Sequence, residues 1–222
     1  MEFIVRVLQT LPLLLDGLAA TLAICLAGMI AAILLAVPLV LARRSDIGLL
    51  QKAAWAWVSL MRGLPIVILV FLLYFGVPAL LGLGRVSAFW VGVLALALNG
   101  SAFLSEILRA SIASVGRGQW DAAASLGLSP GVTWARVIGP QALRIALPAI
   151  VGEMTFLVKA PPVLSLITVV DLTRRSQQVA MQTFDPLVPM LAAALLYFAV
   201  LYALSELSRL LERRLALVEH RA

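Results

Sequence analysis

A chain of 222 residues that is 63% hydrophobic and 13% charged, with a mean hydropathy of +1.06, is no soluble globule, since soluble domains run about 45–50% apolar and about 25% charged. Its net charge of +6 comes from arginines that flank apolar runs, which excludes a nucleic-acid-binding surface as its explanation. The single cysteine, Cys25, lies inside such a run, excludes a disulfide or cysteine metal cluster within the chain, and reads as a small apolar packer.

A helix needs about 20 apolar residues to cross the hydrocarbon core. Uncharged runs at 17–42, 63–84, 86–105 and 186–205 qualify outright, and 145–170 qualifies despite Glu153 and Lys159. The expectation is an all-α membrane protein, one domain over 1–222, with five transmembrane helices at 13–42, 56–81, 86–111, 143–170 and 186–208. An odd number puts the termini on opposite sides. With the N-terminus outside and the C-terminus inside, twelve Lys and Arg face inward against four outward, Lys159 being within a span. The positive-inside rule selects that orientation.

Residues 1–16 read as a short amphipathic lead at the outer surface, with no cleavable signal peptide before the first span. In that span Gly28, Ala31, Ala32 and Ala36 form a small-residue side suited to close helix packing. Residues 46–57 form the first inner loop, with Trp55 and Trp57 at interfacial depth. Pro65 is expected to kink or start a helix. On the third span Asn99 and Glu106 are seven apart and share a face. Asn99 suits either a substrate contact or an interhelical hydrogen bond, and Glu106 an ion pair with Arg109.

The stretch 105–148 is the longest wet segment, and 112–142 is the predicted cytoplasmic loop. Residues 119–126 form helix readily, with Trp120, Ala123, Ala124 and Gly127 on one face. Gly127 sits where a C-terminal glycine cap belongs. Ser129 and Pro130 then start a second short helix to about Ile138, which Pro140 stops. The product is a helix–turn–helix knuckle with small residues where a partner can approach.

Asp121-Ala122-Ala123, Gly127 and Val137-Ile138-Gly139-Pro140 keep the spacing of the signature loop of ABC importer permeases, which this segment resembles. Departures are Asp for Glu at 121, Val for Ile at 137 and Gly for Leu at 139, the last expected to loosen the helix end. The resemblance implies a type I ABC importer permease fold. It also implies a coupling helix in which Asp121, Ala122, Ala123, Gly127 and Leu128 meet an ABC ATPase subunit. Arg62-Gly63-Leu64-Pro65 followed by Tyr74-Phe75-Gly76 is similar to permeases of the polar amino acid branch.

In the fourth span Glu153 and Lys159 are six apart, about 120° around a helix, and so should not pair. Charges at membrane depth face a protein interior, a wet cavity or a partner. Pro161 and Pro162 should break this helix, and broken helices often line transporter pathways. Glu153 stands where relatives of the amino acid branch carry Gln or Glu, which implies a pathway role, the alternative being a carboxylate bonded to a neighbouring helix. Lys159 matches a family Lys, but Ala160-Pro161-Pro162 replaces the polar residues that usually follow. Residues 170–185 read as an outer segment, where Asp171-Leu172-Thr173-Arg174-Arg175 is similar to a family Glu-Leu-Thr motif. It is either an ordered charged loop or a contact for a substrate-delivering protein. His220 is expected to be a solvated tail residue.

The chain has no Gly-x4-Gly-Lys-Ser/Thr loop and no His-Glu-x-x-His or Gly-x-Ser-x-Gly motif. No cofactor is expected in this chain, and no enzyme activity; ATP-Mg belongs to the partner ATPase. The resemblance implies a bacterial inner-membrane importer subunit for a polar, possibly cationic, amino acid. Its partners would be an ATPase dimer, a second permease subunit that is identical or paralogous, a periplasmic or lipid-anchored substrate-binding protein, and the lipid bilayer. A compatible solute such as an ectoine-like or betaine-like compound is the alternative cargo. A passive channel is the alternative class.

Overall fold

The computed structural model describes residues 2–219, with side chains at 7 and 9–215; His220 lies outside the described residues. Among them every regular element is helical. In chain order they are α1 (Glu2–Arg43), α2 (Gly48–Gly63), α3 (Ile66–Leu81), α4 (Ala88–Ser114), α5 (Arg117–Ser125), α6 (Pro130–Val132), α7 (Gly139–Val158), α8 (Pro161–Leu164), α9 (Leu172–Thr183) and α10 (Leu187–Glu219). Four stretches are long and apolar enough to cross a membrane, Gln9–Arg43, Ala88–Ser114, Pro130–Ile167 and Leu187–Leu215, and α2 with α3 makes a fifth if the bent pair is one span.

The centre is α1 lying along α4. Small residues make that possible: a Cβ built on Gly28 would stand 2.8 Å from the Leu96 Cβ, and one on Gly100 would stand 3.2 Å from the Ala32 Cβ. Ala32, Ala36, Ala95, Leu96 and Leu104 are fully or nearly fully buried along this seam, and Val70, Leu157 and Leu164 close it from α3, α7 and α8. Leu34, Leu41, Leu195 and Phe198 are instead more than 60% exposed. In a chain this apolar such positions suit contact with lipid tails, where leaving apolar surface outside costs nothing.

Four expectations change at this level. The lead 1–16 is not separate from the first span, because α1 is continuous from Glu2; Leu14 is buried with Leu172, Ala192 and Ala193, which holds that end against α9 and α10. The second span, expected over 56–81 with Pro65 kinking or starting a helix, does break there: two helices meet at 104° and the second starts just after Pro65. Leu64 is extended (φ −87°, ψ 123°), the conformation forced on a residue before proline. Pro140 does not stop the helix after the knuckle. A wide turn with i→i+5 bonds, Thr133–Ile138, precedes it and the chain runs on into α7. The same device, Leu72–Gly76, precedes Pro78 inside α3. Such a turn already leaves a gap in the i→i+4 ladder, so the donor that proline lacks is not missed. Gly139 tightens that turn instead of loosening it: its N–H donates to the Trp134 carbonyl, and a Cβ there would sit 2.6 Å from the same oxygen.

The outer segment 170–185 is the fourth change. It is a helix, α9, with Asp171 as N-cap. Asp171 is completely buried: its Oδ1 accepts from Ser165 Oγ at 2.6 Å and the Arg174 N–H at 2.9 Å, and its Oδ2 accepts from Tyr197 OH at 3.3 Å. The Leu172 N–H donates to Thr21 Oγ1 at 3.1 Å. One carboxylate therefore ties α9 to α10 and to the end of α8, and Thr21 adds α1. It is an internal fastener, and the half-buried Thr173, Arg174 and Arg175 follow it.

Candidate coupling surface and substrate pathway

The knuckle is built from local rules. Beyond α5, Gly127 adopts φ +65°, its N–H donates to Ala124 O at 2.9 Å, and the Leu128 N–H donates to Ala123 O at 3.1 Å. These two bonds make a Schellman motif, and the left-handed residue it needs is the reason for a glycine. Ser129 then accepts from the Val132 N–H at 3.5 Å. Trp120 and Trp134 meet edge to face, 5.3 Å between centroids, beside buried Val115, Ile138 and Ala142. The Arg44 guanidinium lies 4.9 Å over Trp134, so the end of α1 braces the knuckle.

Of the expected coupling residues, Ala123 is buried, whereas Asp121, Ala122 and Gly127 are exposed and Leu128 is half-buried. Ala124, expected on the face of Trp120 and Ala123, points outward because α5 packs on the edge marked by Trp120 and Ala123 alone. Sequence reasoning passed over Leu126, which is 76% exposed at the tip. No spacing rule marked it, because its exposure depends on which edge of α5 packs against Trp134.

The pathway residues divide. Asn99 is engaged within the protein: its Nδ2 donates at 2.8 Å to Met61 O. Met61 is four residues before Pro65, so this carbonyl is the one that proline leaves without a backbone donor. Of the two expectations for Asn99, the interhelical hydrogen bond is the one the structure contains. Phe103 and Glu106 continue the same face at i+4 and i+7. The Arg62 guanidinium lies 5.6 Å over Phe103 and 3.9 Å from Glu106. Glu106 pairs with Arg43 as well as with Arg109 at 2.9 Å. One stripe of α4 thus holds the bend between α2 and α3 and the end of α1. Replacing Asn99 by Leu is expected to cost about 1–3 kcal/mol by stranding the Met61 carbonyl, read as a fall of about 2–4 °C in thermal midpoint per kcal/mol for the detergent-purified protein. An unchanged midpoint would remove Asn99 from this role.

Glu153 and Lys159 do not meet. Glu153 is half-buried on α7, and among the described residues no hydrogen bond or ion pair involves it. Lys159 is exposed and reaches over the Phe156 ring, 5.5 Å to its centroid. The helix breaks at Lys159–Ala160 and restarts at Pro161, which is buried, with Pro162 half-buried. The Leu157 carbonyl, whose partner would have been Pro161, accepts from Ala160 N–H at 3.2 Å and from the Cys25 thiol at 3.6 Å. Cys25 is accordingly a buried packer with a hydrogen bond of its own.

An all-helical membrane subunit with a braced knuckle outside its spans is the class that this architecture defines. Residues 28–217 match the family of binding-protein-dependent transport system inner membrane components, and the chain belongs to that family. It is 35% identical over 209 residues to the probable amino-acid ABC transporter permease protein YckA of Bacillus subtilis (strain 168), covering 94% of this chain and 92% of that one. It is 35% identical over 205 residues to the arginine transport system permease protein ArtQ of the same organism, covering 92% and 93%. A crystal structure of an amino acid ABC transporter with histidines superposes with a TM-score of 0.89 at 32% identity, covering 95% of this chain and 97% of that one. The fold is thus that of a type I ABC importer permease. An inward-facing structure of the MetNI methionine ABC transporter shares the fold alone, with a TM-score of 0.70 at 19% identity over 97% of each chain.

Proposed function

We propose that this chain is the membrane subunit of an ATP-driven importer that carries a polar, cationic amino acid across a bacterial inner membrane, N-terminus outside and C-terminus inside. The observation that carries the reading is the knuckle: a short helix closed by Gly127 and braced by Trp120, Trp134 and Arg44, with Asp121, Ala122 and Leu126 turned outward. Its small exposed side chains suit docking into a groove of an ATPase subunit, with Asp121, Ala122, Gly127 and Leu128 at the contact and buried Ala123 supporting it. ATP-Mg belongs to that partner. ATP binding would draw two knuckles together and turn the pathway of two paired permeases outward, toward a substrate-binding protein. Moving a two-state equilibrium from 1:99 to 99:1 takes about 5.5 kcal/mol, which a braced helix can transmit.

Cargo charge rests on Glu153, a carboxylate at membrane depth without a partner among the described residues. Lys159, Pro161 and Pro162 flank the helix break a turn and a half further on. Relatives named for amino acids favour this cargo over a compatible solute, and favour a pump over a passive channel. The test is reconstitution in proteoliposomes with the ATPase and binding protein. Uptake of a cationic amino acid is expected only with all components and ATP; movement of the solute by this chain alone would overturn the reading.

A further inference from the structure

At the Arg-rich end of the spans, α2 and the ends of α1 and α4 enclose a concavity of about 350 Å³ lined by Arg43, Arg44, Gln51, Lys52, Trp55 and Arg109. Four of the six are cations. Arg43 and Arg109 share Glu106, which also faces Arg62. Arg44 rests on an aromatic ring, and Lys52 has no hydrogen bond or ion pair among the described residues. One carboxylate against four lining cations leaves a surplus of positive charge that no ion pair among the described residues neutralises. Gln51 adds an amide, whose Nε2 donates to Arg43 O at 3.3 Å.

We infer that this concavity binds the phosphate of an anionic phospholipid headgroup. Guanidinium and ammonium donors are the chemistry that a phosphodiester seeks. The rim distinguishes a membrane lipid from a soluble anion: Trp55 is 61% exposed beside the cations, and Leu49 and Leu60 on the same helix are 80% and 56% exposed. Cations next to exposed Trp and Leu match the boundary between headgroups and hydrocarbon, and basic pockets at the cytoplasmic ends of helices take anionic headgroups. The sidedness rests on the orientation proposed above; the pocket itself does not.

The test is native mass spectrometry of the purified chain with phosphatidylglycerol or phosphatidylcholine added at equal concentration. The wild-type chain is expected to retain phosphatidylglycerol preferentially. The double variant Arg44→Gln/Lys52→Gln is expected to lose about thirtyfold in that retention, from two charges near the headgroup. Arg209→Gln/Arg213→Gln, which removes two charges elsewhere, and the charge-keeping Arg44→Lys/Lys52→Arg are expected to retain it. Equal retention by wild type and the first variant overturns the site. Loss of lipid to millimolar inorganic phosphate overturns a lipid as its ligand. Retention is read without transport, so its failure would leave the permease reading standing, and failed uptake would leave the lipid site standing.

Discussion

Gly127→Val is expected to abolish ATP-driven uptake while the chain still inserts in the membrane. A Cβ at this glycine would meet nothing within 4 Å, so no clash produces the effect. Its φ of +65° is the whole cause: a β-branched residue is a genuine outlier there, and holding one costs on the order of 1–3 kcal/mol. The cheaper outcome is to unwind the turn, which releases the Ala123 and Ala124 carbonyls and lets the tip at Leu126 swing. Membrane packing is untouched, since the buried seam of α1 and α4 lies elsewhere. A graded series follows from the same reasoning. Asn, which tolerates the left-handed region, should keep most uptake, Ala less and Val about none. Uptake and transport-stimulated ATP hydrolysis in proteoliposomes measure it; wild-type rates in the Val variant would count decisively against the knuckle as the transmission element.

Glu153→Gln is expected to slow uptake of a cationic amino acid by about tenfold or more, while a neutral one of similar size changes little. A hydrogen bond to a charged group contributes about 1.5–3 kcal/mol, and each 1.4 kcal/mol is tenfold. The substitution keeps shape and removes only the charge, so a packing role predicts no discrimination between the two solutes. Competition uptake with both solutes reads the ratio directly. An equal effect on both removes Glu153 from the pathway.

Much of the fold was legible because its signals are local. Long uncharged runs marked the spans, Gly127 marked a left-handed turn, and Pro161-Pro162 marked a helix break. What escaped was set by contacts between distant residues. Arg43 meets Glu106 across 63 positions, and no spacing rule connects them. Asp171 looked like a surface charge because a carboxylate among arginines usually is one; its burial depends on Ser165, Tyr197 and the helix that it caps. Pro140 looked like a stop because proline ends a regular helix, and only the wide turn at Thr133–Ile138 removes the conflict. At the candidate site, Glu153 and the small knuckle residues were visible from residue type alone. The outward turn of Ala124 and Leu126 was not, because it depends on which edge of a short helix the two tryptophans choose.

The two proline joints are not equally strong. At Pro65 the orphaned carbonyl is held by a carboxamide at 2.8 Å, and at Pro161 by a thiol at 3.6 Å, with a backbone N–H sharing the load. A thiol is a weak donor, so it resists stretching less than an amide does. Between helices, therefore, the elbow beside Lys159 is tied by the softer contact and the one beside Arg62 by the firmer, while the backbone bond at Leu157 stays within its own helix end.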